Sequence, residues 1–191
     1  LLKREAIGLI QAAVLKGQDR NFNLDKLNFK EAGADAIVGA CRTYSMFGGR
    51  RLVIASGMEQ MKAKQDGPLL EYLADPAPDA TLILTGQSLD MRKKAFKLAA
   101  KAGVSLKLSA PYARQLPAWI QTRARIKGAA IEGSAAALLG DTIGTNLAAL
   151  DEALERLILY VASNDGPARI RQQDVEASVA RTREHTVFEI A

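Results

Sequence analysis

The sequence predicts an α/β domain with a mostly parallel sheet, followed by a small all-helical domain. Three observations predict it. Leu52-Val53-Ile54-Ala55 and Thr81-Leu82-Ile83-Leu84-Thr85 are short apolar runs with β-branched residues, the pattern of strands buried on both faces. Amphipathic segments of roughly 10–16 residues alternate with such runs, as in βα units. After Pro111 the strand signal stops, and residues 112–191 read as helices only. The expected boundary lies near residues 110–118, giving a domain at 1–115 and a second at 116–191.

In chain order, Leu1 to Lys16 reads as a helix. Leu2, Ala6, Leu9, Ile10, Ala13 and Val14 keep a 3.6-residue period, and Gly17 is a terminator. Phe22 to Leu27 begins with alternation and is read as a short strand. Phe29 to about Tyr44 is a helix with Ile37, Ala40, Cys41 and Tyr44 on its apolar face, weakened by Gly33 and Gly39. At about 100° per residue, Met46 falls opposite Ile37 and Phe47 lies off the stripe. Two large apolar side chains at a helix tip, pointing away from their own core, call for a partner. Gly48-Gly49 then turns the chain, and Arg50-Arg51 leads into the strand at Leu52.

Gly67 to Leu73 is a brief helix with Pro68 in its first turn, and the loop Asp75–Asp79 leads to the second buried strand. Met91 to Ala102 is amphipathic: Met91, Ala95, Leu98, Ala99 and Ala102 face inward, and Arg92, Lys93, Lys97 and Lys101 face water. Gly103 ends it, and Val104 to Leu108 alternates as a strand with one wet face. The second domain is read as helices over Ala113–Lys127, Ser134–Leu139, Asn146–Ala162 and Asp174–Arg183. Leu147, Leu150, Leu154, Leu157, Ile158 and Val161 form the strongest stripe, with Thr145 as its N-cap candidate and Asp174 capping the last helix.

At 191 residues and 48% hydrophobic, the chain is large enough for one large or two small cores. A single cysteine, Cys41, excludes a disulfide framework and fits a reducing compartment, so the localisation read here is cytoplasmic. One Cys and one His, His185, cannot build a zinc site. No apolar run approaches the roughly 18–20 residues that span a bilayer. Residues 1–15 are amphipathic, unlike the apolar block of a signal peptide. The absence of an initiator Met reads as a fragment or a trimmed chain. The net charge of +5 is unevenly placed: Met91 to Ile131 holds ten Lys and Arg and no acid, while the remainder sums to −5. That stretch reads either as contact with an acidic partner such as a phosphate backbone or as a solvated helix face.

The layout of sheet domain and helical lid is that of ATP-driven ring machines. No G-x-x-x-x-G-K-[ST] motif occurs, although such a loop would lie upstream of Leu1. A nucleotide hydrolase also needs a carboxylate at the end of an apolar strand to hold Mg²⁺. Here the strands end in Ser56-Gly57-Met58 and Thr85-Gly86, and Glu59 comes too late. His185 is read as a surface residue and Cys41 as an inert core thiol. Trp119 is read as an anchor of interdomain packing, with base stacking as the alternative.

Several ordered landmarks resemble the delta-subunit family of the bacterial DNA polymerase III clamp loader. They are Leu1-Leu2 before a helix, Ser45-Met46-Phe47-Gly48-Gly49-Arg50-Arg51-Leu52-Val53, Leu70–Pro78 and Asp90-Met91-Arg92-Lys93-Lys94-Ala95-Phe96-Lys97. Pro117-Ala118-Trp119-Ile120 with Arg123, then Leu150–Tyr160, Asp174-Val175 and Val187-Phe188-Glu189-Ile190 continue the series. Relative to that family, the first strand and the C-terminal helical collar are missing. The resemblance implies a P-loop-NTPase-like (AAA+-like) domain followed by a helical lid, with no ATP hydrolysis, no cofactor and no metal. It implies a component of a DNA-directed DNA polymerase (nucleotidyltransferase) holoenzyme that binds and opens the sliding clamp for loading on primed DNA. The other clamp-loader subunits would be its partners in a hetero-oligomer, with no membrane. On this sequence the clamp-binding residues fall on Met46 and Phe47 with Tyr44 beside them. Arg92, Lys93, Lys94 and Lys97 are candidates for contact with DNA or with a neighbouring subunit. An active ATPase whose phosphate loop lies upstream, and a basic nucleic-acid-binding module, are the competing readings.

Overall fold

The computed structural model describes residues 1–45, 48–162 and 168–178. The chain divides into two compact units, Leu2–Lys107 and Leu108 onward. The first runs α1 (Leu2–Val14), α2 (Arg20–Asn23), β1 (Leu24–Asn28), α3 (Phe29–Arg42), β2 (Arg51–Ser56), α4 (Gly67–Ala74), β3 (Ala80–Leu84) and α5 (Lys94–Ala102). The strands form a wholly parallel sheet in the order β1-β2-β3, with Leu52 opposite Leu24 on one side and Thr81 on the other.

β2 is the centre of this unit because its sequence is apolar at every interior position. Strand alternation sends Val53 and Ala55 to one face, where they join Ile37, Cys41, Tyr72 and Phe96 from α3, α4 and α5. Leu52 and Ile54 go to the other face, against Leu15 and the partly buried Ile7 and Val14. The two faces are unequally covered, since α1 contributes no fully buried residue and Leu9 is 74% exposed. Burial pushes the Cys41 thiol up to about 11, in keeping with an inert core side chain.

Several expectations are corrected. Phe22 and Asn23 belong to α2, whose N-cap Asp19 accepts the Asn21 N–H, so β1 begins at Leu24. α3 stops at Arg42, and Tyr44 therefore leaves the apolar face and is 88% exposed. Gly33 interrupts α3 with φ 72°, whereas Gly39 stays within the helix. α5 starts three residues later than its periodicity suggests. Asp90 Oδ1 accepts the Arg92 N–H at 3.1 Å, a local turn that competes with helix. Met91 is consequently exposed, Ala102 is exposed too, and Phe96 joins the core. Val104 to Leu108 is not a strand. No described strand pairs with it, and Val104 and Leu106 are 88% and 64% exposed. Alternation alone does not make a strand without a partner for its backbone groups.

The second unit contains α6 (Leu116–Ile126), β4 (Ala130–Ile131), α7 (Gly133–Ile143), α8 (Leu147–Val161), β5 (Arg169–Ile170) and α9 (residues 172–178). β4 and β5 form a parallel pair of two residues each, too short to leave a periodic trace in the sequence. The N-cap of α8 is Asn146 rather than Thr145; its Oδ1 accepts the N–H groups of Ala148 and Ala149. Asp174 caps α9 from inside its first turn, accepting the Arg171 N–H at 2.7 Å. The expected continuation to Arg183, together with His185 and the 187–190 motif, lies outside the described residues. Among the described residues no helix is long and apolar enough to cross a membrane.

α6 and α8 are joined by a mostly buried ion pair. Arg123 donates Nε and an Nη to the two oxygens of Asp151 at 2.6 and 3.0 Å, and Lys127 reaches both Asp151 and Glu155. The Arg123 guanidinium holds the Asp151 carboxyl below the usual carboxylate range, against the opposing effect of burial. A lowered folded-state value means that this stabilisation is complete above the unfolded value near ~4 and is lost as pH falls through the lowered value. Asp151→Asn should therefore cost about 3 kcal/mol at neutral pH. Chemical denaturation at neutral and acid pH checks this, the difference between variant and wild type shrinking as pH falls.

Candidate functional site

The loop between α3 and β2 lies at the amino-terminal edge of the sheet. α3 ends where Thr43 turns back: its N–H reaches the Ala40 carbonyl at 3.4 Å and its Oγ1 donates to the Gly39 carbonyl at 2.9 Å. Tyr44 then projects into solvent. Ser45 and Gly48 close on each other through two hydrogen bonds, Ser45 Oγ to the Gly48 carbonyl at 2.7 Å and Gly48 N–H to the Ser45 carbonyl at 3.3 Å. The two residues between them in sequence, Met46 and Phe47, lie outside the described residues.

The far side of the loop is tied to three neighbouring segments. Gly48 and Gly49 both have positive φ, 74° and 92°, a conformation glycine adopts without a Cβ penalty. Gly49 also packs so closely on Gln18 that a Cβ there would come within 2.6 Å of its side chain. Arg50 Nη2 donates to the Pro78 carbonyl at 3.3 Å, and Arg51 N–H donates to the Asp79 carbonyl at 2.8 Å. The Arg51 guanidinium bridges to β1 and its approach, 2.7 Å from Asp25 Oδ2 and 3.4 Å from the Phe22 carbonyl. A short turn is thus held on a fixed base. The sequence reading singled out this loop but not the anchors Gln18, Asp25 and Arg51; nothing local in the sequence says that positions roughly 26 to 31 apart meet.

The opposite, carboxyl-terminal edge is where open parallel sheets usually bind ligands. β2 ends at Ser56 and β3 at Leu84, with no carboxylate on either. Glu59 sits in a 3₁₀ turn beyond β2, where its Oε2 accepts the Gln87 N–H at 3.3 Å. A cavity beside this edge is lined by Lys3, Arg4, Lys26, Ser56 and Thr85, with no acid among its lining residues. Among the described residues no group of three or more His, Cys, Asp or Glu is placed to hold a metal ion.

The basic stretch does not belong to one unit. Its ten cations are divided between the two units, and several have local roles. Arg92 is in a two-pronged pair with Asp90, whose carboxyl it holds down at about 2. Lys93 donates Nζ to the Met61 carbonyl. Arg123 and Lys127 belong to the Asp151 cluster. Lys94 and Lys97 instead lie exposed on α5. Of the four, Arg92 and Lys93 thus have partners within the chain, while Lys94 and Lys97 stand exposed on α5. Trp119 is partly buried in α6.

A family model described as DNA polymerase III, delta subunit matches residues 1–109. The chain belongs to that family. It is 25% identical over 199 residues to DNA polymerase III subunit delta of Bacillus subtilis (strain 168), a match covering 99% of this chain and 56% of the relative. The solved structure of the Bacillus subtilis DNA clamp loader delta protein superposes with a TM-score of 0.75 at 25% identity, covering 98% of this chain and 57% of that one. The chain thus spans somewhat over half the length of these relatives. A Thermotoga maritima RuvB K64R mutant superposes at TM-score 0.51 and 14% identity over 93% of this chain and 57% of its own, which shows the fold alone. The architecture is the P-loop-NTPase-like, AAA+-like α/β domain with a helical companion.

Arg51 is the anchor whose loss should be felt most, because its removal leaves Asp25 without its cation and frees the base of the loop. Arg51→Gln should lower stability by about 2 kcal/mol, measured by thermal or denaturant unfolding, whereas Arg50→Gln, which loses one exposed hydrogen bond, should cost under about 1 kcal/mol.

Proposed function

We propose that this chain is the clamp-engaging part of a clamp-loader delta subunit in DNA replication. It binds a sliding clamp through Tyr44, Met46 and Phe47, helps open one clamp interface for loading on primed DNA, and hydrolyses no ATP itself. The observation that carries this reading is the closed Ser45–Gly48 turn, flanked by the 88% exposed Tyr44 and anchored at its base. A turn closed at its two ends lowers the entropy cost of inserting the side chains between them into a partner's pocket, and a few such side chains dominate affinity in anchor-and-pocket interfaces. Opening follows when the bound chain fits the strained clamp interface better than the closed one. The strand ends without carboxylates, and the engagement of Glu59 by Gln87, support a non-hydrolytic role.

In this reading residues 1–115 form the clamp-binding ATPase-like domain and 116–191 the lid. The other loader subunits are partners in a cytoplasmic hetero-oligomer, and the catalysis belongs to the polymerase complex as a whole. Surface plasmon resonance against immobilised sliding clamp tests the central claim. Met46→Ala/Phe47→Ala should weaken binding by at least about 30-fold, the size of a hot-spot loss near 2 kcal/mol or more, with an unchanged circular dichroism spectrum. Ser45→Ala, which removes one closing bond of the turn, should weaken it by roughly 3- to 10-fold. Wild-type protein that ignores the clamp defeats the proposal.

A further inference from the structure

We infer that the Gln18 carboxamide is a positioning group for the turn between α3 and β2, its Oε1 accepting a backbone N–H from the Gly49–Arg50 corner and so latching the loop. The consequence for clamp affinity rests on the reading proposed above; the latch itself does not. A Cβ placed on Gly49 would lie 2.6, 2.7 and 2.8 Å from Cδ, Oε1 and Nε2 of Gln18. Three nearly equal distances mean that the flat carboxamide lies face-on against Gly49. Its oxygen is buried and has no hydrogen-bond partner. On the loop side, the Gly48 and Arg51 N–H groups are taken by the Ser45 and Asp79 carbonyls. The N–H groups of Gly49 and Arg50, between them, have no partner among the described residues. An acceptor without a donor thus lies beside two donors without an acceptor.

The surroundings favour a hydrogen bond over simple packing. A buried acceptor without a donor costs free energy that an apolar side chain of equal length does not. The amide is therefore a poor filler, and a donated N–H recovers the loss. Gly48, Gly49 and Arg50 are exposed, and rotation of a peptide between glycines with positive φ meets no Cβ. Gln18 is fixed by comparison. Its N–H donates to the Leu15 carbonyl at 3.1 Å, and Leu15 is buried in one cluster with Leu52 and Ile54 of β2. The loop is the moving partner, and the exit of α1 is the stationary one. The next donor along the chain without a hydrogen bond, Arg51 Nε, belongs to a guanidinium already held by Asp25 and the Phe22 carbonyl. Closing the corner on Gln18 restrains the turn from the side opposite the Ser45–Gly48 bonds, so less freedom is left to lose on binding.

The test is amide hydrogen exchange of the full chain, read by NMR at Gly49 and Arg50, in Gln18→Met and Gln18→Glu. Methionine keeps the length and packing of the side chain and removes the acceptor; glutamate keeps an acceptor oxygen. Gln18→Met should exchange roughly 3- to 10-fold faster at one or both of these amides. Thr43, whose N–H is bonded to the Ala40 carbonyl, should be unchanged, and Gln18→Glu should keep wild-type rates throughout. Equal exchange in wild type and Gln18→Met overturns the inference, as does a loss in Gln18→Glu as large as that in Gln18→Met. Faster exchange at Thr43 as well, with a lowered unfolding midpoint, makes Gln18 a packing residue only and also overturns it. On immobilised sliding clamp, Gln18→Met should dissociate about 3- to 10-fold faster than wild type. Protection that depends on Gln18 in a chain that ignores the clamp upholds the latch and defeats the clamp-binding proposal. Protection that does not depend on Gln18, in a chain that binds the clamp, does the reverse.

Discussion

The fold of the first unit depends on the two-sided burial of β2. Its interior residues Leu52, Val53, Ile54 and Ala55 are all buried, with strand neighbours on both edges and apolar side chains on both faces. A strand in this position cannot slip. A shift of one residue would exchange the two faces and send Arg51 toward the core. Because β2 is fixed, the point at which the chain enters it is fixed as well. The preceding loop must therefore close between the end of α3 at Arg42 and a set position for Arg51. The glycine pair with positive φ and the packing of Gly49 on Gln18 are the local means of doing so. Arg51 belongs to both systems, as the first residue of the strand and the cation that holds Asp25 on the neighbouring one.

Much of this was legible in the sequence because its signals are local. The apolar runs at 52–55 and 81–85 became β2 and β3, and the stripe along Leu147–Val161 became α8. The misreadings share a cause: a periodic pattern states what a segment could bury, not whether anything is there to receive it. Val104 to Leu108 has good alternation and no described partner, so it forms no strand and is exposed. Met91 has helical phase, but the Asp90 carboxylate captures the Arg92 N–H and delays the helix to Lys94. Thr145 and Asn146 are both good caps on composition, and only the geometry of the first turn selects Asn146. For the candidate site, helical phase in the sequence led to the loop after α3, while the base of that loop, built from Gln18, Asp25, Pro78 and Asp79, required the tertiary fold.

Charge behaved differently from hydrophobicity. The run of ten cations without an acid is plain in the sequence, but charge acts through space and the sequence orders it in one dimension. Folding gave Arg123 and Lys127 to Asp151 and Glu155, Arg92 to its neighbour Asp90, and Lys93 to a backbone carbonyl. What remains available on α5 is a shorter row than the sequence suggests, and it includes Lys101 rather than Arg92 or Lys93. Exposed ion pairs such as Arg92–Asp90 contribute little to stability. Their consequence is electrostatic: each paired acid cancels a cation that would otherwise count toward a positive surface.

The two edges of the sheet differ in what they offer. In open parallel sheets chemistry gathers at the carboxyl ends of the strands, where loops can place acids, metals and nucleotides. In this chain that edge offers Ser56 and Thr85, a cavity lined by cations, and a glutamate already occupied by a backbone N–H. The amino edge, ordinarily only a turn back into the sheet, carries instead a closed loop with three separate tethers. Anchoring of that kind couples the turn to the sheet as well as stabilising the fold. In the proposed reading, that coupling carries force between the turn and the sheet. The amino edge is thus a tethered, closed loop, while neither described strand end at the carboxyl edge carries a carboxylate.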